Sequence, residues 1–227
     1  MLSINSSLFI KNGFELVDNF IDQQTVWKIR AEIENYNCGQ KCGGIRNSAK
    51  KLPSVKAYLS SSAFLSKIQP WFNAEVKVVR SIVFDKSETN NWLVAWHQDR
   101  TVAVSQKFSS DGWGPWSVKD DTHHVQPPLE VLDSMLTFRI HLDDAMLDNG
   151  CLRVIPESHM KGVLSASGIK AFTSISDSVT CQAKAGSALV MHPLVIHASS
   201  KTTSFKPRRV LHVECSSYTL PIGIDWT

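Results

Sequence analysis

His97 and Asp99 stand two positions apart in the stretch Trp96-His97-Gln98-Asp99, and His197 follows about a hundred residues later in Ile196-His197-Ala198-Ser199. On an extended strand, residues i and i+2 point to the same face. An imidazole and a carboxylate placed in this way, joined by a distant second imidazole, cover one face of an octahedral ion and leave the other positions open. That donor set is the 2-His-1-carboxylate triad of non-haem Fe(II) oxygenases. His-x-Asp alone recurs by chance. Order and spacing sharpen it: Arg208 follows eleven residues beyond His197. His192, five residues before His197, is the competing imidazole.

The chain resembles the phytanoyl-CoA dioxygenase family of Fe(II)- and 2-oxoglutarate-dependent oxygenases. The residues that carry the resemblance are His97-Gln98-Asp99, the run from Asp148 through Asn149, Gly150, Cys151, Leu152 and Arg153 to His159, and His197-Ala198-Ser199 followed by Arg208. They span roughly Val76 to Val213. Together these motifs are specific to the family and not to a substrate. The resemblance implies His97, Asp99 and His197 as ligands of Fe(II). It also implies Arg208 as partner of the distal carboxylate of 2-oxoglutarate, a task that suits a guanidinium fork. Arg209 would point to the opposite face of the same strand. Ser199 resembles the family's hydroxyl partner for that carboxylate, and Gln98 sits where relatives use it near the co-substrate.

Arg139, counted through Asn149-Gly150, falls where relatives place an aromatic residue beside the co-substrate. A buried arginine on a cavity face needs an anion. Two partners stay open: a carboxylate of 2-oxoglutarate or substrate, and a structural salt bridge to Asp143 or Asp144. His141, of the same strand parity, reads more readily as a satisfied core histidine than as a base. The implied reaction consumes O2 and 2-oxoglutarate, releases succinate and CO2, and hydroxylates a small molecule. The carboxylate of Asp99 favours hydroxylation over halogenation, because halogenating relatives lack it. Two alternatives remain: a non-catalytic metal- or ligand-binding protein on the same fold, and a cupin-like metalloenzyme that does not use 2-oxoglutarate.

The elements that must position these residues fall into two parts. Residues 1–74 read as a helical N-terminal part. Phe14 to Val17 forms an edge strand, and Asp22 caps a helix over 23–36 with Val26, Ile29, Ile33 and Tyr36 on its packed face. Residues 38–47 read as a Gly-rich loop in which Arg46 could reach an anionic ligand. One or two short helices follow over 53–72. Residues 75–216 read as the core. Strands are expected at Glu75–Phe84, through Trp92 to Trp96, at Met135–Leu142, at Leu152–Ile155, through Leu189 to Met191 and at Arg208–Val213. Many short strands with few helices after residue 72 suggest a mainly β jelly roll with helices in front. The resemblance implies a double-stranded β-helix of the cupin-like kind, with the whole chain as one oxygenase domain.

Residues 105–128 interrupt this pattern with three prolines, two glycines and the pair Trp113 and Trp116. Long connections of this kind are usually functional or disordered, and tryptophans argue against disorder. Two readings stay open: an active-site loop that covers the metal, which would make Trp113 and Trp116 substrate contacts beside Arg46 and His141, or a surface loop pinned by its tryptophans.

Composition sets outer limits. A 43% apolar chain of 227 residues has ample material for a core. A net charge of +3 with scattered Lys and Arg gives no nucleic-acid footprint. No apolar run reaches membrane length and no signal peptide is visible. Five cysteines, an odd count, then fit a reduced cytoplasmic protein. Cys38-x3-Cys42 is half of a zinc pattern without its second half, and reads as two free thiols. Arg139, Arg46 and Lys86 hint at an anionic or zwitterionic small-molecule substrate.

Overall fold

The computed structural model describes Leu2, residues 6–36 and residues 44–227. Cys38 and Cys42 lie outside the described residues.

The chain begins with α1 (Ser7–Asn12), which Ser6 caps by accepting from the Phe9 N–H. Strand β1 (Phe14–Val17) follows. Helix α2 (Gln23–Tyr36) starts where Asp22 accepts from the Thr25 N–H at 2.9 Å and from its hydroxyl at 2.6 Å. A carboxylate there satisfies a free helix-end donor. Val26, Ile29 and Ile33 are buried, but Tyr36 is exposed, so the packed face ends one turn earlier than the periodicity predicts. Strand β2 (Gly44–Arg46) replaces part of the expected loop, because its backbone is taken up by the next strand. Short helices α3 (Ser48–Lys51), α4 (Pro53–Leu59) and α5 (Ser62–Ile68) complete the N-terminal part.

The strands then follow in quick succession: β3 (Lys77–Lys86), β4 (Val94–His97), β5 (Val102–Val104), β6 (Trp116–Lys119) and β7 (Thr122–Val125). After α6 (Leu129–Asp133) come β8 (Met135–His141) and β9 (Leu152–Val154). After α7 (Ala166–Ile175) come β10 (Val179–Cys181), β11 (Ala188–Met191), β12 (His197–Ser199) and β13 (Arg208–Ser216). Among the described residues these strands pair antiparallel into three sheets, ordered β1-β11-β8-β13-β3-β2, β10-β9-β12-β4 and β5-β7-β6. The protein is mainly β, with its N-terminal helices packed on one face of the largest sheet.

Strand parity decides which side chains meet those helices. Leu136, Phe138 and Ile140 of β8, with Leu211, Val213 and Cys215 of β13, join one apolar cluster with Ile29, Ile33, Phe64 and Ile68. Each fully buried side chain of this size contributes about 1.5–3 kcal/mol. The opposite parity carries Thr137, Arg139 and His141 on β8 and Arg208, Val210, His212 and Glu214 on β13. The register sets Arg139 opposite His212 and Val210 opposite His141. These polar groups are buried too. They need partners or a cavity, since unpaired burial is costly.

Residues 105–128 do not form a structureless loop. Trp116–Lys119 and Thr122–Val125 are a hairpin turning at Asp120 and Asp121, both with positive φ (51° and 55°), as a two-residue type I′ turn requires. Lys51 Nζ bonds the Asp120 carboxylate at 2.6 Å, and Asn47 Nδ2 bonds Thr122 Oγ1 at 3.0 Å. The hairpin is thereby fastened across the segment that leaves β2.

Candidate metal centre and its cavity

β4 and β12 are neighbours in the four-stranded sheet, and their register puts His97 directly opposite His197. The two rings lie 4.2 Å apart between centroids. Asp99 lies just past the end of β4, where its N–H donates to the Pro193 carbonyl at 3.0 Å. Its carboxylate oxygens sit 3.7 Å from His97 Nε2 and 3.6 Å from His197 Nε2.

Hydrogen bonds fix how the rings present themselves. His97 Nδ1 is 2.8 Å from the Ala95 carbonyl, and His197 Nδ1 is 2.9 Å from the Val195 carbonyl. A carbonyl only accepts, so both Nδ1 atoms carry the proton and both Nε2 lone pairs are free. This is the outer-shell arrangement that orients metal-binding histidines. Burial pushes His197 down to about 3, so its imidazole is neutral at ordinary pH. Burial works against the Asp99 carboxylate, but His197, His212, His97 and Arg80 together hold its pKa below the usual range. Asp99 Oδ2 is buried and has no hydrogen-bond partner. An orphaned carboxylate oxygen facing two imidazole lone pairs fits a divalent cation.

Among the described residues a second group, Asp99 with His212 and Glu214, has ligand atoms close enough for an ion. Both ring nitrogens of its His212 are already used. His212 Nδ1 accepts from Arg139 Nη1 at 3.0 Å, so its Nε2 carries the proton and donates to Glu214 Oε1 at 3.1 Å. Glu214 also takes a salt bridge from Arg80. This set is a hydrogen-bonded network along the cavity wall.

The triad opens into a cavity of about 320 Å³ whose lining includes Arg139, Arg208, Ser199, Arg46, Trp92 and His124. Arg208 is buried, and its Nε reaches the Asn149 carbonyl at 3.3 Å. Burial, then Arg139, lowers it to about 10. Arg209 points the other way and is bound by Asp143 at 2.7 Å and by Glu34. Asp143 therefore serves Arg209, and Asp144 serves Lys184 at 2.9 Å. The salt bridge from Arg139 to either aspartate does not form. Arg139 bonds His212 and lies over the Phe84 ring at 5.6 Å.

Several expected residues are placed otherwise. Gln98 does not line the cavity. Its amide donates to Gly162 and Leu194 carbonyls and accepts from the Leu164 N–H, each at 2.9 Å. Strand alternation turns it away from the face shared by His97 and Asp99, and it clamps two loops instead. Trp113 and Trp116 also stay outside the cavity, stacked on Phe108 in an apolar cluster. From that hairpin Lys119 and His124 line the cavity in their place. His141 is buried beside the cavity, not on its lining, with neither ring nitrogen bonded. It is not a satisfied core histidine. Arg46 does line the cavity, at its exposed edge. His192 is held elsewhere, accepting from the Leu194 N–H and facing Asp133 at 3.5 Å.

Sequence reading missed five contributors: Arg80, Lys119, His124, His212 and Glu214. It named Lys86 without a place. Lys86 is fully buried, with Nζ 2.8 Å from Ser199 Oγ and 2.6 Å from the Ser200 carbonyl. Ser199 in turn donates to the Gly150 carbonyl at 2.8 Å.

Residues 9–210 match the family model described as Phytanoyl-CoA dioxygenase (PhyH). No curated protein sequence matches the chain. Many solved structures do. The non-heme alpha ketoglutarate dependent epimerase SnoN from nogalamycin biosynthesis aligns with a TM-score of 0.67 at 16% identity, over 94% of this chain and 81% of that one. AviO1 from Streptomyces viridochromogenes Tue57 aligns at 0.70 and 17%, over 94% of each chain. EctD from S. alaskensis with 2-oxoglutarate and 5-hydroxyectoine aligns at 0.71 and 14%, over 95% of this chain and 77% of that one. At these identities the likeness is one of fold. Among the described residues no helix is long and apolar enough to cross a membrane.

Proposed function

The chain belongs to the phytanoyl-CoA dioxygenase family, and on that basis we propose that it is an Fe(II)- and 2-oxoglutarate-dependent dioxygenase that hydroxylates a small molecule with release of succinate and CO2. In this reading the chain is one catalytic domain, and its two facing sheets are the halves of a double-stranded β-helix. The observation that carries the proposal is the convergence of two Nε2 lone pairs on the Asp99 carboxylate, in one cavity with a buried arginine, Arg208, that no described acid pairs with.

His97, Asp99 and His197 would hold Fe(II), and two imidazoles with one carboxylate leave coordination positions for co-substrate and O2. When bound, the iron with 2-oxoglutarate supplies the oxidising power for attack on a C–H bond. Everything else is the work of the chain. Arg208 anchors the distal carboxylate of 2-oxoglutarate, with Lys86 as the adjacent cation. Ser199 holds the Lys86 ammonium and is itself held by Gly150. Arg139 and His212 form a rigid wall that fixes where a substrate carbon can lie, and positioning of this kind accounts for much of such catalysis.

Structures of similar fold include an epimerase and the carbocyclase SnoK as well as EctD. Product composition separates the outcomes: gain of oxygen for hydroxylation, loss of hydrogen for ring closure, no change for epimerisation. The first test is anaerobic titration of metal-free protein with Fe(II) and 2-oxoglutarate, followed by the weak visible charge-transfer band of the chelate. A band that vanishes in His197→Ala, with succinate formed once O2 is admitted, supports the proposal. Metal binding without the band would remove 2-oxoglutarate from it and favour a metal- or ligand-binding protein on the same fold.

A further inference from the structure

The cavity is unbalanced in charge. Its lining carries Arg46, Arg80, Lys119, Arg139 and Arg208 against one acid, Asp99. Glu214 neutralises Arg80 from behind. A bound divalent ion would take up Asp99, and the two carboxylates of 2-oxoglutarate are spent on that ion and on Arg208. Arg139 then has only the His212 imidazole beside it, and Arg46 and Lys119 are left without an anion. No described side chain forms an ion pair with either, and Asp120, the acid at the hairpin turn, is engaged by Lys51.

Their placement is built by the fold. Lys119 pairs with Thr122 in the hairpin register and Ser117 with His124, so Lys119, Thr122 and His124 share one face. The Asn47–Thr122 bond fastens that face to the residue immediately after Arg46. His124 is buried, and its Nδ1 lies 3.1 Å from Arg80 Nη1. A guanidinium only donates, so Nδ1 accepts and Nε2 carries the proton. Burial, then Arg80, Lys119 and Arg46, keep this imidazole neutral, at about 4. The wall therefore offers a guanidinium, an ammonium and an imidazole N–H, and no described carboxylate.

We propose that Arg46, Lys119 and His124 form an anion subsite, and that the substrate is a small molecule whose carboxylate or phosphate docks there while the rest of it extends to the triad. The assignment of the occupant as substrate rests on the proposed function; the anion site itself does not. Charge-assisted hydrogen bonds to a carboxylate or phosphate are the strong kind, and Arg presents them as a fork.

The test is titration of the metal-free full chain with inorganic phosphate and, separately, with acetate, followed by tryptophan fluorescence, since Trp92 lines the same cavity. The expected result is saturable binding that weakens about tenfold or more in Arg46→Gln/Lys119→Gln and by less than about twofold in Arg208→Ala. Both replaced side chains are exposed, so folding is not at stake. The tighter of the two anions names the substrate's group. No saturable binding in the wild type, or loss in Arg208→Ala and not in the double variant, overturns the proposal. The Fe(II)–2-oxoglutarate band is recorded on the same double variant and is expected to be unchanged. A band lost there assigns these cations to the co-substrate and also overturns the proposal. A band absent from wild type while phosphate binding depends on Arg46 and Lys119 supports the anion site and removes only the reaction.

Discussion

Arg208 and Lys86 are register partners across β13 and β3, both buried, and no described carboxylate pairs with either. Two like charges side by side in a low-dielectric interior repel strongly. The cost is tolerable in a ligand-free protein only because Lys86 is solvated by Ser199 and the Ser200 carbonyl and Arg208 by the Asn149 carbonyl. A carboxylate brought to this end relieves both. Arg208→Ala should weaken 2-oxoglutarate binding by about ten- to a hundredfold, as losing a charge-assisted bond costs about 1.5–3 kcal/mol. Lys86→Met should weaken it less. Arg209→Ala should leave binding intact and cost about 1–3 kcal/mol in urea unfolding, because Asp143 then keeps only the half-exposed Arg30 and the backbone N–H of residue 209. Equal binding in wild type and Arg208→Ala would sink this account.

pH should move stability and binding in opposite directions. Burial, then Arg208 and Arg139, lowers the Lys86 ammonium from 10.5 to about 8. The unfolded chain then holds this proton more tightly than the folded one. Below about 8 both states are protonated and the full cost of burial is present. Between about 8 and 10.5 the unfolded state binds more protons, so this group makes the ligand-free protein more stable as pH rises. Affinity for 2-oxoglutarate should fall over the same window, since the cation is lost. Urea midpoints across it, compared with Lys86→Met, check the sign. A variant whose profile keeps the wild-type slope means another group titrates.

Metal should stabilise the folded chain by mass action. Ni(II), a redox-inert stand-in, at about a hundredfold over its Kd should add about 2.7 kcal/mol, a rise of several degrees in Tm, reversed by a chelator. His197→Ala and Asp99→Ala should abolish the shift. His192→Ala should retain it, because that ring is bound to Leu194 and Asp133 and points elsewhere. A shift that survives His197→Ala and disappears in His192→Ala would reverse the ligand assignment.

What the sequence disclosed depended on how far a side chain's partners lie along the chain. Parity puts His97 and Asp99 on one strand face, whereas the choice of His197 over His192 and of Arg208 over Arg209 comes from the motif order that the family resemblance supplies. The strands that carry them were legible from β-branched runs. Arg80, His212 and Glu214 were not, although the signal existed. Glu214 lies six positions beyond Arg208, so an uninterrupted strand gives both the same parity, and reading β13 only to Val213 cut it off. Their partners lie across β3 and β8, and register is not written in either strand alone. The hairpin at Asp120-Asp121 was read as loop because its turn lacks the Asn-Gly or Asp-Gly signature. Trp113 and Trp116 then fit either a lid or a surface loop pinned by its tryptophans, and their burial partners, Phe108 and, for Trp113, Tyr218, accord with the second.

Gln98 should matter for architecture and not for co-substrate affinity. Its three bonds join the end of β4 to the segment 162–164 and to Leu194. Gln98→Ala leaves the Leu164 N–H and two carbonyls to find water, at about 1–3 kcal/mol. Urea unfolding should register that loss. The Kd for 2-oxoglutarate, measured with Ni(II), should change by less than about threefold, a difference under 1 kcal/mol. A larger effect on binding than on stability would return Gln98 to the co-substrate site.

Gly150 supplies the sharpest test of the closed end of the cavity. Its φ of +76° lies in the left-handed region that disfavours any side chain. A Cβ there would stand 2.5 Å from the Ser200 carbonyl oxygen and 3.3 Å from Lys86 Nζ. The oxygen is backbone and cannot swing aside, so the Ser199–Ser200 segment must shift. That segment accepts both bonds from Lys86 and bonds the Gly150 carbonyl. Gly150→Ala should therefore cost more than backbone strain alone, about 1–3 kcal/mol, and should weaken 2-oxoglutarate binding although residue 150 touches no ligand in this scheme. His197 lies two residues before Ser199 on the same short strand, so Ni(II) affinity should fall as well, by a smaller factor. Gly162→Ala serves as control, since its φ is also positive and nothing lies within 4 Å of its added Cβ. It should lose stability and keep both affinities. If the two variants lose binding equally, the effect of Gly150 is general destabilisation, and the coupling from Gly150 through Ser200 to Lys86 carries no function.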